Sequence, residues 1–230
     1  MVHFTLFGIP VYIRPSFWVV LAIFGGALSI SSVEDLIYPA LFVIAGFVAI
    51  LSHEMGHALV GRKLGGGQQT IVLELFGGLT RSHGMQLTRG GRALMILAGP
   101  MMTLLLGIIS LWLTWNIVAP VMTSYNLNFW DLAISPFTAA LISPKLYILS
   151  CLIMIGEWWT ILNLLPIYPL DGGQLIAQYI RSPRKVFMTG FITAILIGLL
   201  SFQLFHGYFI PIFMALFAYS NYREYKNAPF

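Results

Sequence analysis

The chain has 230 residues, of which 58% are hydrophobic and only 9% charged, whereas a soluble domain carries about 25% charged residues. With a mean hydropathy of +0.86 and a single cysteine, it is neither a soluble globular enzyme nor a disulfide-stapled scaffold. The net charge of +4 does not point to nucleic acid, because the 12 basic residues are scattered and read better as membrane-topology signals.

The expected class is an all-α integral membrane protein. It is a polytopic bundle of about six transmembrane helices with short membrane-associated β-strands on the cytoplasmic side, forming a single domain over residues 1–230. Met1-Val2-His3-Phe4 lacks a basic n-region and an A-x-A site, so no removable signal peptide is expected.

Val2 to Ile13 is rich in β-branched and aromatic residues and is broken by Gly8-Ile9-Pro10, which predicts an interfacial strand with a bend. The first predicted span runs from Ser16 to Ser31 and the second from Leu36 to Val60. The segment Gly65 to Thr88 is too polar to span. Within it, Thr70 to Thr80 predicts a β-hairpin or edge strand around Gly77-Gly78. A third span covers Ala93 to Val118, where Gly99 and Gly107 allow close helix approach and Pro100 should kink the helix. Pro120 to Ser143 reads as a loop with a short interfacial helix. The fourth span, Leu146 to Leu164, ends in a stretch with Pro166, Pro169, Gly172 and Gly173, which forces non-helical backbone at membrane depth. A short helix from Gln174 to Ile180 leads to spans at Val186–Phe205 and Tyr208–Tyr222. Trp18, Trp112, Trp115 and Trp130 suit an interfacial belt, and Trp158 and Trp159 suit packing.

With six spans, one side receives Arg14, Arg62, Lys63, Arg81, Arg89, Arg92, Arg181, Arg184, Lys185, Arg223 and Lys226, leaving only Lys145 for the other. The bias places both termini in the cytoplasm, and the expected location is a bacterial or archaeal cell membrane, as a multi-pass protein.

The second span carries His53-Glu54-Met55-Gly56-His57, an HExxH sequence. Residues four apart share a helix face, so His53 and His57 can direct imidazole nitrogens at one metal while Glu54 reaches a metal-bound water as base. This suits hydrolysis at zinc, which takes three protein ligands and keeps one position open. Three ionisable groups within two turns of a membrane helix are costly, about 2.5–3.5 kcal/mol for each charge, unless they have partners or a task. Candidates for the third ligand are Glu34, Asp35, Glu74, Asp131, Glu157, Asp171, His3, His83 and His206. Topology puts Glu34, Asp35, Asp131 and His206 on the far side and His3, His83 and Glu74 in surface segments, which leaves Asp171 and Glu157. Asp171 sits in a rigid Pro-x-x-Asp-Gly-Gly turn, its competing role being an N-cap. Glu157, inside a span, is read as protonated or hydrogen-bonded to a neighbouring helix.

HEMGH at His53–His57, followed by NLLPIYPLDGG at Asn163–Gly173 near the end of a later span, resembles the site-2 protease family of intramembrane zinc metalloproteases. The likeness covers most of the chain, including the GIPVYI strand, the ELFGG segment and Ala98-Gly99-Pro100. It implies one zinc ion held by His53, His57 and Asp171, with Glu54 as catalytic base and Asn163 binding substrate or steadying the oxyanion. It also implies cleavage of a peptide bond within or near the transmembrane segment of a membrane-anchored substrate, for regulated proteolysis or signal-peptide clearance. The partners are then a transmembrane protein or peptide, the lipid bilayer and a separate regulatory membrane protein, with no nucleic acid. Thr103 departs from the family, which often has Asn there, and the chain reads as a minimal form without PDZ or CBS domain. The competing readings are another HExxH membrane protease with Glu157 as third ligand, a zinc transporter, and a catalytically silent membrane scaffold.

Overall fold

The computed structural model describes residues 1–75, 77–84, 86–120, 128–205 and 208–229. The chain divides into two compact units, Met1–Thr160 and Ile161–Phe230.

In the first unit, β1 (Val2–Leu6) and β2 (Ile9–Ile13) form an antiparallel hairpin. The expected single bent strand is therefore two strands. Phe7 and Gly8 both take positive φ, 50° and 75°, which is the two-residue turn that matches strand twist. Helix α1 follows (Pro15–Phe24), then two short 3₁₀ turns, Ala27–Ser29 and Glu34–Leu36, and the long helix α2 (Ile37–Gly65). Strands β3 (Gln68–Glu74) and β4 (Gly77–His83) form the expected hairpin, with Phe76 of its turn outside the described residues.

Strand order is β1-β2-β3-β4, and β2 pairs parallel to β3, Val11 opposite Ile71. Alternate residues Ile9, Val11 and Ile13 of β2 and Ile71 and Leu73 of β3 point one way. They close a core with Phe17 and Leu21 of α1 and Ile50, Leu51, Met55 and Ala58 of α2. The sheet is thus docked on the half of α2 that carries the HExxH residues. Arg62 ties it down by donating to the Phe7 carbonyl at 2.8 Å, and Arg14 pairs with Glu74 at 2.9 Å.

Helix α3 (Arg89–Val118) starts at the Thr88 cap, whose hydroxyl accepts from the Gly91 N–H, and is continuous through Pro100. Part of the expected loop between Pro120 and Ser143 is outside the described residues, at 121–127; the rest forms two short helices, α4 (Phe129–Ile134) and α5 (Pro136–Ala140). Helix α6 (Pro144–Leu164) packs Tyr147 and Cys151 against Ala45 of α2. Buried Thr103 hydrogen-bonds Thr160 at 2.9 Å, which gives the residue that departs from the family a role in joining α3 to α6.

In the second unit, α7 (Asp171–Ala177) precedes α8 (Pro183–Phe205) and α9 (Phe209–Asn227). Ile167, Ala194, Met214 and Ala218 form its core. Arg184, at the start of α8, donates to the Ala228 carbonyl just past α9 at 2.9 Å, so α8 and α9 form an antiparallel hairpin with its basic residues at one end.

Among the described residues, four helical segments are long and apolar enough to cross a membrane: Glu34–Gly65, Arg89–Val118, Pro144–Leu164 and Pro183–Leu204. The chain is an integral membrane protein. Two of the six expected spans differ from this description. The span expected at Ser16–Ser31 is the ten-residue α1, about 15 Å long against a hydrocarbon core of about 30 Å. Gly26, with φ 87°, ends its run. The last, α9, has 19 residues but carries Arg223, Glu224 and Lys226 in its final turns. Trp158, expected to pack, is 55% exposed, whereas Trp159 packs against the α1–α2–sheet core.

Helices α2 and α3 approach closely because Gly56 faces the backbone of α3. A β-carbon there would overlap the Ala98 carbonyl oxygen. Gly56→Ala should lower the unfolding free energy in detergent by about 1–3 kcal/mol, read from denaturation monitored by circular dichroism.

Candidate metal centre

His53, Glu54 and His57 lie on α2 and are 2%, 5% and 8% exposed. One helical turn separates the two histidines, and their Nε2 atoms converge to 3.0 Å. His57 Nδ1 lies 2.8 Å from the Met95 carbonyl of α3. A carbonyl can only accept, so Nδ1 carries the proton and Nε2 presents its lone pair. A tetrahedral ion with metal–nitrogen bonds of about 2.0–2.1 Å sets its ligand atoms about 3.3 Å apart, so the spacing of these two nitrogens suits one zinc-sized ion.

Space for the pair comes from Gly99 on α3. A β-carbon at this position would overlap His57 Nε2 and His57 Cε1 and stand 2.9 Å from His53 Nε2. Glu54 faces β4. Its Oε2 accepts from the Thr80 hydroxyl at 2.7 Å, and its Cγ and Cδ occupy the space that a side chain at Gly78 would fill. Unit one thus assembles two imidazoles and a carboxylate in a dry setting, with both imidazoles presenting Nε2 to one point.

The second unit holds Asp171 and Asn163, 6% and 8% exposed. Asp171 is the first residue of α7. The cap position is Leu170, in extended conformation, so the competing N-cap role for Asp171 is not what the structure shows. Gly172 and Gly173 let α7 lie against the chain that precedes it: β-carbons there would overlap the carbonyls of Leu164 and Ile167. The turn itself is held from α9, where Asn221 Nδ2 donates to the Tyr168 carbonyl at 2.6 Å, and by Gln174, which donates to the Pro169 carbonyl at 2.9 Å. The short helix expected at Gln174–Ile180 therefore starts three residues earlier, at Asp171. Asn163 lies in the last turn of α6.

Glu157 is exposed on α6, and the expected hydrogen bond to a neighbouring helix is not found among the described residues. Nor does it join the histidines. The other acids and histidines also stand apart from them. Glu74 pairs with Arg14, and Asp35 accepts from Ser31 and Ser32. Glu34, Asp131 and His83 are exposed; His3, exposed as well, stacks on Tyr12. His206 lies outside the described residues. Residues to which sequence reasoning gave no part in the site are Gly78, Thr80, Met95 and Asn221. Gly78 and Thr80 sit two apart in a strand and so share a face, a signal that was present in GGLT but pointed to no partner.

Residues 41–205 match the sequence profile of Peptidase family M50. The chain belongs to Peptidase family M50. Its HExxH helix and the Asp171 turn both fall within the matched region, and membership of the site-2 protease family expected from HEMGH and LDGG is borne out. This M50 chain is 29% identical over 227 residues to a zinc metalloprotease of Methanocaldococcus jannaschii, covering 94% of itself and 57% of that protein. It spans about half the length of the curated relatives it matches. It also shares the fold of the solved site-2 protease from Methanocaldococcus jannaschii, at a TM-score of 0.62 and 24% identity, over 97% of this chain and 94% of that one.

Because Gly99 leaves the room that both Nε2 atoms use, Gly99→Ala should weaken binding of a divalent metal by about 10–100-fold, the range seen when support around a metal ligand is lost. Competition with a chromogenic chelator measures it.

Proposed function

We propose that the chain is an intramembrane zinc metalloendopeptidase that hydrolyses a peptide bond within or beside the transmembrane segment of a membrane-anchored substrate. The observation that carries this is the convergence of two buried imidazole nitrogens beside a buried carboxylate on one membrane helix of an M50 chain. His53, His57 and Asp171 are the zinc ligands in this reading. Their donor types and burial suit a metal ion, and Glu157, exposed on α6, is the weaker candidate for the third place. The two compact units act as one protease domain over 1–230.

Zinc, when bound, supplies the Lewis acidity that makes a water acidic and a carbonyl electrophilic. Glu54 removes a proton from the attacking water as its oxygen bonds to the carbonyl carbon. The same carboxylate returns the proton to the leaving amine as the carbon–nitrogen bond breaks, so peptide and water become a carboxylic acid and an amine. Asn163 donates to the substrate carbonyl oxygen as charge develops on it. Dry walls of α2 and α3 strengthen each of these contacts.

Six crossings with both termini in the cytoplasm belong to the same proposal, the first made by α1 together with residues 25–36 that follow it. Pairing of β2 with β3 supports the first, because both ends of the α1–α2 segment meet in one sheet and the chain must leave and return to the same side. The α8–α9 hairpin supports the last, since it returns Arg223 and Lys226 to the end that holds Arg184. A bacterial or archaeal cell membrane belongs to the same reading, supported by relatives from Methanocaldococcus jannaschii and Synechocystis.

A helical substrate must unwind before its peptide bond is accessible, and a free strand edge offers it replacement hydrogen bonds. Val72 lies on β3, paired on both sides, so the edge available beside Glu54 is that of β4. Leu79→Cys on β4 should cross-link to a single-cysteine membrane-spanning substrate, and Val2→Cys on the opposite edge should not; equal cross-linking at both edges sinks the β4 docking.

In detergent, wild type should bind one zinc and cleave a model membrane-spanning substrate. Glu54→Gln should keep its zinc and lose about 10²–10⁴-fold in kcat, while Asp171→Asn should lose zinc and cleavage together. Cleavage by Glu54→Gln at the wild-type rate contradicts the assignment.

A further inference from the structure

The carboxylate of Glu54 is held from outside its own helix, by the edge strand β4. Thr80 Oγ1 lies 2.7 Å from Glu54 Oε2 and 3.1 Å from the Glu54 carbonyl. A hydroxyl has one proton to give. The carboxylate is the closer and, when ionised, the stronger acceptor, so the proton goes to Oε2. On the same face of the strand, two residues back, Gly78 presents bare backbone to the rest of the side chain. A β-carbon there would overlap Cγ and stand 2.5 Å from both Cδ and Oε1. Leu79 between them points away and is 41% exposed. β4 therefore forms a two-point cradle, with a donor at one carboxylate oxygen and a cleared space at the other.

This arrangement answers a problem set by the sequence. A glutamate has three rotatable bonds, and each must be fixed before its carboxylate faces one direction. Swinging the carboxylate by an ångström is enough to cost a reaction about two orders of magnitude. We propose that Thr80 is the positioning residue for Glu54, holding the carboxylate that serves as base in the direction it must face, with Gly78 clearing the room it needs. The inference rests on the protease reading and adds to it a residue on a different element from the motif.

The test uses full-length protein in detergent as wild type, Thr80→Val, Thr80→Ser and Glu54→Gln. Three readouts are taken: zinc content, kcat and KM on a model membrane-spanning substrate, and the infrared carboxyl band of Glu54, assigned by its loss in Glu54→Gln. Valine keeps the shape of threonine without the donor. Thr80→Val should keep its zinc and KM, lose roughly 10–100-fold in kcat, and shift the Glu54 band. Thr80→Ser should recover most of the rate and the wild-type band. Should Thr80→Val turn over like wild type with the band unmoved, or Thr80→Ser be as impaired as Thr80→Val, the proposal is overturned. A shifted band in Thr80→Val, with wild type bearing zinc yet cutting nothing, supports the Thr80–Glu54 contact and counts against the protease reading instead.

Discussion

Keeping two imidazoles and a carboxylate dry inside an apolar helix is the constraint on which the rest of the structure depends. His53, Glu54 and His57 are all nearly inaccessible, and a buried polar group without a partner costs about 1–3 kcal/mol. The helix cannot satisfy them alone, because its own backbone bonds are already made. His57 therefore draws in the Met95 carbonyl and Glu54 the Thr80 hydroxyl. Bringing these neighbours close requires that something else be small. Gly56, Gly78 and Gly99 are the places where α3 and β4 meet α2 without side chains between them. The sheet's position follows from the same demand, since β4 is useful only if the other strands and α1 hold it against α2.

The second unit solves a related problem in backbone terms. Pro166 and Pro169 remove two backbone N–H donors from this turn, and irregular backbone at membrane depth is tolerated only when protein supplies the missing bonds. Asn221 and Gln174 do so for Tyr168 and Pro169. Gly172 and Gly173 then allow α7 to start beside the preceding chain, which leaves Asp171 buried and fixed in direction. Gly190, on α8, has the same function toward Asn221, whose Oδ1 occupies the space of its missing β-carbon.

Much of this was legible from hydropathy and one motif. The four longest spans, the β3–β4 hairpin and the two motif regions are signalled locally, by runs of apolar residues, by Gly77-Gly78 and by residue spacing. Length was misread where local composition and geometry disagree: Ser16–Ser31 is mostly apolar, but Gly25-Gly26 ends the helix after ten residues. The bend expected at Gly8-Ile9-Pro10 is instead a hairpin turn at Phe7-Gly8, where both residues take positive φ. Parallel pairing of β2 with β3 joins residues 60 apart, such as Val11 and Ile71, and no local pattern specifies it. Thr80 and Asn221 were missed for the same reason. Their chemistry is ordinary, and only the partner across the fold gives it meaning.

The central claim is that a zinc ion sits on the two converging histidines with oxygen ligands completing its shell. X-ray absorption at the zinc edge of the purified protein tests it most directly. The account predicts one zinc per chain, two imidazoles at about 2.0–2.1 Å and the remaining scatterers oxygen at about 2.0–2.2 Å, with the imidazole contribution lost in a His53→Ala, His57→Ala double variant. A spectrum without imidazole scattering, or with sulfur at about 2.3 Å, would contradict it.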